Sequence, residues 1–241
     1  MASGDTLEHL DVLIIGAGLS GIGAACRLLT DHPGRSIALL ESRGRVGGTW
    51  DLFRYPGVRS DSDLYTFGYD FRPWLEEKAI ADGPSILRYL QETAAECGVD
   101  RLIRYHHRVV SADWSSRDSH WKVRVELTRT PGAGQDTPAE PFGTGEFLEL
   151  TAGWIFNAAG YYRYDQGFTP ELPNRDSFRG PVVHPQHWPD GLDVNGKRVA
   201  VIGSGATAVF IKEYGMSNGL KFNSVWAVGN SAQLGIEVPA A

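Results

Sequence analysis

Residues 11–15 (DVLII) form a short, continuous apolar run rich in branched side chains, the pattern of a strand buried on both faces, as in a parallel sheet. After a glycine-rich turn, residues 22–29 carry apolar positions at helical spacing, and Asp31, His32, Pro33 and Gly34 stop the pattern. Residues 36–40 read as a second buried strand, closed by Glu41. Strand, glycine turn, helix, strand and acid make one complete βαβ unit. Residues 44–71 turn loop-like, with GGTW at 47–50 and RYPGVRSDSD at 54–63, and so long an irregular stretch is more often functional than idle. Residues 84–97 place Ile86, Leu87, Leu90 and Ala94 on one helical face. Residues 103–114 and 121–127 alternate with period two and 147–156 follows, so a small antiparallel meander is expected, with a mobile proline- and glycine-rich loop at 131–145. Residues 197–202 (KRVAVI) predict another buried strand and run into GSGATA at 203–208, a GxGxxA turn; the pattern beyond Ala208 is weak. The expected fold is α/β: a Rossmann-like domain over 1–190, then the start of a second, incomplete dinucleotide-binding domain over 191–241.

Composition narrows the function. The chain has 241 residues, 42% hydrophobic, with a formal net charge of −6 and interspersed signs, so no basic face is available for nucleic acid. No stretch approaches the roughly 18 apolar residues of a membrane span, and the first apolar run is too short for a signal sequence, so a cytoplasmic protein is expected. Its two cysteines, Cys26 and Cys97, are far apart in sequence and form no CxxC pair. That spacing suits a reducing compartment and disfavours dithiol chemistry, including that of a two-domain disulfide reductase.

The chemistry-bearing positions centre on the first turn. In GxGxxG, Gly16 makes the tight turn, Gly18 lets backbone approach a pyrophosphate and Gly21 lets helix and strand pack closely. The helix start offers unsatisfied amides and the positive dipole end to that diphosphate. Glu41 stands where a carboxylate accepts both hydroxyls of an adenosine ribose and repels a 2′-phosphate, which fits the ADP half of FAD or NAD rather than NADP. Arg59 and Asp61 put a cation and a carboxylate two residues apart in an aromatic-rich loop, a placement suited to chemistry if that loop covers a cofactor. His184 and His187 resemble a metal pair, but Pro185 prevents helical presentation and no further ligand clusters nearby, so no metal is expected. Ser204 lacks the GxSxG setting of a nucleophile.

Phe178, Gly180, His184, Trp188 and Pro189 satisfy FxGxxxHxxxWP, and the chain here resembles the type I Baeyer–Villiger monooxygenases. GGTWDLFRYPGVRSDSDLYTFGYDFRPW and VHPQHWP followed by VAVIGSGATA are similar to the ethionamide-activating branch of that family, over roughly 8–209. The resemblance implies two dinucleotide domains, FAD on the first and NADPH on the second. It also implies a reaction in which a C4a-peroxyflavin passes one oxygen atom of O2 into a small ketone or onto a sulfur-containing substrate. Carried over, Gly16, Gly18, Ser20, Gly21 and Glu41 would hold the ADP part of FAD. Thr49, Trp50, Asp51 and Leu52 would line the flavin path, Val109 would meet the adenine, and Asp61 would sit near the flavin ring. Arg59, Ser60 and Asp61 would face the nicotinamide, and Gly203, Ser204, Gly205, Ala206, Thr207, Ala208 and Val209 would receive the NADPH diphosphate. His184 and Trp188 would link the domains. Members of this family are considerably longer, and the family's active-site arginine and 2′-phosphate reader fall beyond the point where the likeness stops. Lys212 and Lys221 are the basic residues after Ala208, and AAG at 158–160 replaces the family's ATG. A C-terminally truncated chain is therefore expected, with an open sheet edge prone to homo-oligomerisation and little stability without FAD. The alternative reading is a flavin-binding module or pseudo-enzyme without turnover.

Overall fold

The computed structural model describes residues 7–129, 142–164, 167–171, 173–194, 197–203, 205–218 and 221–226. Strand β1 (Glu8–Ile15) pairs in parallel with β2 (Ile37–Leu40), Ile15 opposite Leu40, and α1 (Leu19–Asp31) crosses between them. Successive β1 side chains enter opposite layers. Ile14 packs with Ile22 and Cys26 of α1, Leu39, Ile86 and Leu90, whereas Leu13 packs with Leu40, Val123, Val125 and Leu150. Burying each such side chain is worth about 1.5–3 kcal/mol, so these two layers carry the domain.

The loop-like stretch contains two single-turn helices, α2 (Thr49–Leu52) and α3 (Leu64–Phe67). Helix α4 (Gly83–Glu96) starts where Asp82 accepts the Ser85 amide at 2.8 Å, with proline in its first turn, and it packs against α1. Residues 103–114 are not one strand. Ile103–Arg104 (β3) pairs in parallel with β2, the chain turns at His106 with φ 61°, and β4 (His107–Ser115) then runs antiparallel to β5 (His120–Arg129). Alternation of side chains is blind to this change of hydrogen-bonding partner. Nor is the meander a separate sheet. β6 (Phe142–Asn157) pairs antiparallel with β5 over its first part and parallel with β1 over its last, giving one six-stranded sheet ordered β3-β2-β1-β6-β5-β4. Most of the expected 131–145 loop lies outside the described residues.

The second unit goes further than its sequence pattern promised. β7 (Arg198–Ile202), α5 (Ala206–Ser217) and β8 (Lys221–Trp226) complete a second βαβ, with Val201 opposite Val225 in parallel. Helix α5 is apolar on more than one side, which hid its periodicity. Residues 227–241, with most of the tail phrase VWAVGNSAQ, lie outside the described set. The fold brings Cys26 and Cys97 into one apolar cluster although they are far apart in sequence, because sequence spacing says nothing about which helices pack.

Candidate functional site

The carboxyl ends of β1 and β2 open into a cleft of about 510 Å³. The three glycines of the first turn serve different ends. At Gly16, φ is 100° and a Cβ would meet the Ala158 carbonyl oxygen at 2.6 Å; at Gly21 it would stand 2.0 Å from the Gly16 carbonyl oxygen. Both positions exclude any side chain. At Gly18 the nearest atom to an added Cβ is the Gly48 Cα at 3.6 Å, an ordinary contact, and φ is −86°. The chain's own packing does not require glycine at 18, so the glycine keeps space free on the cleft side. Gly18 is the N-cap of α1 and no side chain caps it, so first-turn amides and the helix dipole face that space.

Glu41 is 6% exposed and lies on the cleft wall. Its Oε2 accepts the Ala17 amide and its Oε1 the Arg43 amide, both at 2.9 Å. The carboxylate thereby staples the glycine turn to the end of β2; Oε1 also accepts the Ser42 hydroxyl at 3.4 Å, and Oε2 keeps a second lone pair for a ligand hydroxyl. Val109 lines the same wall from β4, beside a register shift between Val109 and Ser111.

GGTW folds back onto the first turn. Gly47 and Gly48 have φ of 118° and 55°, and a Cβ on Gly48 would come 3.1 Å from the Gly18 Cα. Thr49 Oγ1 lies 3.2 Å from the Tyr164 hydroxyl, and Trp50 meets Phe67 edge-on; both Thr49 and Trp50 line the cleft, as does Ser20. Asp51 and Leu52 are buried and do not line the cleft. The Asp51 carboxylate is ion-paired with buried Arg43, and Arg45 Nε and Arg54 Nη2 lie 3.0 and 3.8 Å from its Oδ1.

The 55–62 loop carries the charged wall. Tyr55 is buried, its hydroxyl accepts from Thr207 Oγ1 at 3.3 Å, and burial, with the Asp61 charge adding, pushes its phenol up. Arg59 forms an ion pair with Glu213 of α5 and stacks 4.5 Å over the Phe210 ring. Ser60 is buried and its Oγ accepts the Ser62 amide at 3.0 Å, while Asp61 is exposed; Arg59, Ser60 and Asp61 all line the cleft. From the second unit, Ala206 and Thr207 reach the cleft. Gly203, at φ 141°, and Gly205, Ala208 and Val209 do not line the cleft, and Ser204 lies outside the described residues.

Three wall residues, Tyr161, Tyr162 and Tyr164, carried no sequence signal beyond aromatic density, and the fingerprint stretch packs nearby without lining the cleft. Tyr162 lines the cleft, its phenol pushed up to about 12 by its hydrogen bond with Tyr161 and by burial. Gln186 is buried, and its Nε2 donates to the Arg163 and Tyr164 carbonyls, both at 2.7 Å. His184 Nδ1 accepts the Gln186 amide at 3.2 Å, and burial, then the His187 charge, lowers its pKa. Trp188 packs on the Tyr55, Phe210 and Ile211 cluster. The FxGxxxHxxxWP stretch thus grips both the 163–164 backbone and α5. Among the described residues, no helix is long and apolar enough to cross a membrane, and no three His, Cys, Asp or Glu side chains form a metal set.

A parallel β1–β2 pair with an uncapped helix and a buried carboxylate at its carboxyl end, joined to a second glycine-turn unit, has the plan of a two-unit dinucleotide-binding protein. The NAD(P)-binding Rossmann-like domain family matches residues 14–76. The chain is 50% identical over 202 residues to the FAD-containing monooxygenase EthA of Mycobacterium tuberculosis, and 50% identical over 202 residues to EthA of Mycolicibacterium smegmatis; each match covers 84% of this chain and 38% of the relative. Among solved structures, the OTEMO complex with FAD and NADP superimposes with a TM-score of 0.67 at 31% identity, over 86% of this chain and 37% of that one. Over the stretch it shares with them, the chain is similar to FAD-containing monooxygenases, EthA among them. It spans less than two fifths of the length of these relatives.

Proposed function

We propose that the cleft holds FAD and that the chain is the flavin-binding part of an NADPH-using monooxygenase, which passes one oxygen atom of O2 into a small ketone or onto a sulfur-containing substrate. The observation that carries this reading is Gly18, the one glycine of the turn for which the protein's own packing gives no reason. A bound flavin supplies two-electron redox chemistry and oxygen activation, which no side chain here can supply. The residues fit such a group. Uncapped amides at the start of α1 take the diphosphate, Glu41 takes the ribose hydroxyls, and Ser20, Thr49, Trp50 and Val109 wall the path. Asp51 and Leu52 support that wall from behind. Arg59, Ser60 and Asp61 face the nicotinamide, and the second turn, with Ser204, Ala206 and Thr207 among its residues, receives the NADPH diphosphate at the uncapped start of α5. Tyr55 and Tyr162 help keep water from the reacting centre. Residues 1–190 form the FAD domain and 191–241 the NADPH domain, in a cytoplasmic protein. The two-stranded β7–β8 sheet, with exposed Ile202, Val209 and Met216 nearby, favours homo-oligomers, which light scattering of the purified chain tests.

The decisive experiment compares the chain with Gly18→Ala. Wild type binds FAD and shows the visible spectrum of oxidised flavin, while the variant keeps its far-ultraviolet circular dichroism and melts within a few degrees but binds FAD at least about tenfold more weakly. Equal FAD affinity in the two proteins overturns the assignment. Anaerobic NADPH then bleaches the flavin of an NADPH-using enzyme, whereas an unchanged yellow solution leaves a flavin-binding module without turnover.

A further inference from the structure

The chain's two cysteines belong to different elements, Cys26 to α1 and Cys97 to the C-cap of α4. Helical spacing aims both at the same seam. Ile22 and Cys26 lie four residues apart on the buried stripe of α1, and Leu90, Ala94 and Cys97 follow one another on the inner stripe of α4. The helices pack against each other in one apolar cluster that takes in both cysteines, and the two thiols adjoin there. Cys26 is 2% exposed, whereas Cys97 is half-buried. Neither lines the cleft.

We propose that Cys26 and Cys97 form an oxidisable pair that closes to an intramolecular disulfide with hydrogen peroxide as the oxidant, crosslinking α1 to α4. The less buried Cys97 reacts first. Its thiolate attacks one peroxide oxygen, the O–O bond breaks, and the products are a sulfenic acid and water. Cys26 sulfur then attacks the Cys97 sulfur, the S–S bond forms, the S–O bond breaks, and the departing hydroxide leaves as water with the Cys26 proton. Overall, two thiols and one peroxide give one disulfide and two waters, with two electrons passing from sulfur to peroxide. Cys26 is the more deeply buried of the two, so peroxide meets Cys97 first and Cys26 serves as the resolving partner.

The crosslink would join two elements that shape the cleft. Helix α1 carries the first glycine turn, and α4 presses Leu87 onto Gly47 of GGTW, where an added Cβ would lie only 2.3 Å from the Leu87 Cδ1. Between the helices, Tyr69 stacks on Tyr89 with ring centroids 5.6 Å apart and donates its hydroxyl to the Leu19 carbonyl at 2.5 Å.

The test treats the full chain with a small excess of hydrogen peroxide, removes the excess with catalase, and then denatures it in the presence of a maleimide. Before treatment two maleimides add. After treatment none adds, the intact mass falls by about 2 Da, peptide mapping finds Cys26 joined to Cys97, and dithiothreitol restores both sites. The oxidised chain also melts at a higher temperature. Cys26→Ser and Cys97→Ser each abolish the monomeric mass loss. Sulfinic or sulfonic acid on Cys97 with Cys26 still labelled, a crosslink between two chains, or no reaction at all overturns the proposal. None of these outcomes depends on flavin, so they are separable from the cofactor assignment.

Discussion

Removing the Asp51 carboxylate tests how the GGTW turn is held beneath the cleft. Its side chain is fully buried and that of Arg43 is 4% exposed, so the ion pair between them is shielded from water on both sides. Arg43 also donates to the Gly48 carbonyl at 3.3 Å, which ties the pair to the turn that touches Gly18. Deleting one partner of a buried pair costs about 3–5 kcal/mol, chiefly because the other charge stays buried without compensation. Arg45 and Arg54 add little, since their side chains are 49% and 28% exposed. For a chain of this size, about 2–4 °C is lost per kcal/mol, so Asp51→Ala is expected to melt roughly 6–20 °C below wild type. Thermal melts followed by circular dichroism, with urea titrations to confirm an unchanged slope, measure the loss. The double replacement Arg43→Met with Asp51→Leu should recover part of it, because no unpaired charge remains. A melting point for Asp51→Ala within about 2 °C of wild type, equivalent to less than about 1 kcal/mol, refutes the reasoning. So does a variant that melts normally yet loses FAD, because that places the carboxylate's effect on the ligand rather than on the turn.

Other positions give separable outcomes. Gly21→Ala should abolish soluble folded protein or lower its melting point steeply, since a Cβ would stand 2.0 Å from the Gly16 carbonyl oxygen; a stable Gly21→Ala chain would contradict the turn geometry. Glu41→Ala should weaken FAD binding and cost about 1–3 kcal/mol by orphaning the Ala17 and Arg43 amides, both readable from paired titrations and urea melts. Asp61→Ala, at an exposed rim position, should leave the flavin colour and alter the rate of anaerobic reduction by NADPH in stopped flow. Burial and His187 hold the His184 pKa below its ordinary 6.5 in the folded chain, so the fold favours the neutral ring that accepts the Gln186 amide. That contribution is complete above about pH 6.5 and is lost as pH falls through the depressed folded value. Melts between pH 7.5 and 5 should therefore show a stability loss that His184→Asn diminishes; an equal loss in the variant would exclude His184 as its source.

What could be read from the chain and what could not divide along one physical line. β1, the first turn, α1, β2 and Glu41 are consecutive, and each is announced by a local pattern, so the βαβ unit was legible. The partners of those residues are not consecutive. Nothing near position 51 reveals that Asp51 turns inward to Arg43, because burial depends on how GGTW folds back onto Gly18. The continuous alternation over 103–114 conceals a change from parallel to antiparallel pairing, and the cysteine spacing conceals that α1 and α4 meet. Helix α5 escaped for another reason: it packs Phe210 and Ile211 on Tyr55 while keeping apolar residues elsewhere, so its spacing lacks one clear stripe. Its position could still be inferred from the other side of the contact. Gly57, at φ 80°, leaves no room for a side chain because the Phe210 carbonyl oxygen would lie 2.7 Å from an added Cβ. The glycine in YPG, Tyr55 against Thr207, and Arg59 against Glu213 and Phe210 all answer to α5, so the composition of the loop records the second unit's position. The same reasoning separates Gly18 from its neighbours in the first turn: no protein atom accounts for its missing side chain, whereas Gly16 and Gly21 each answer to a backbone carbonyl oxygen.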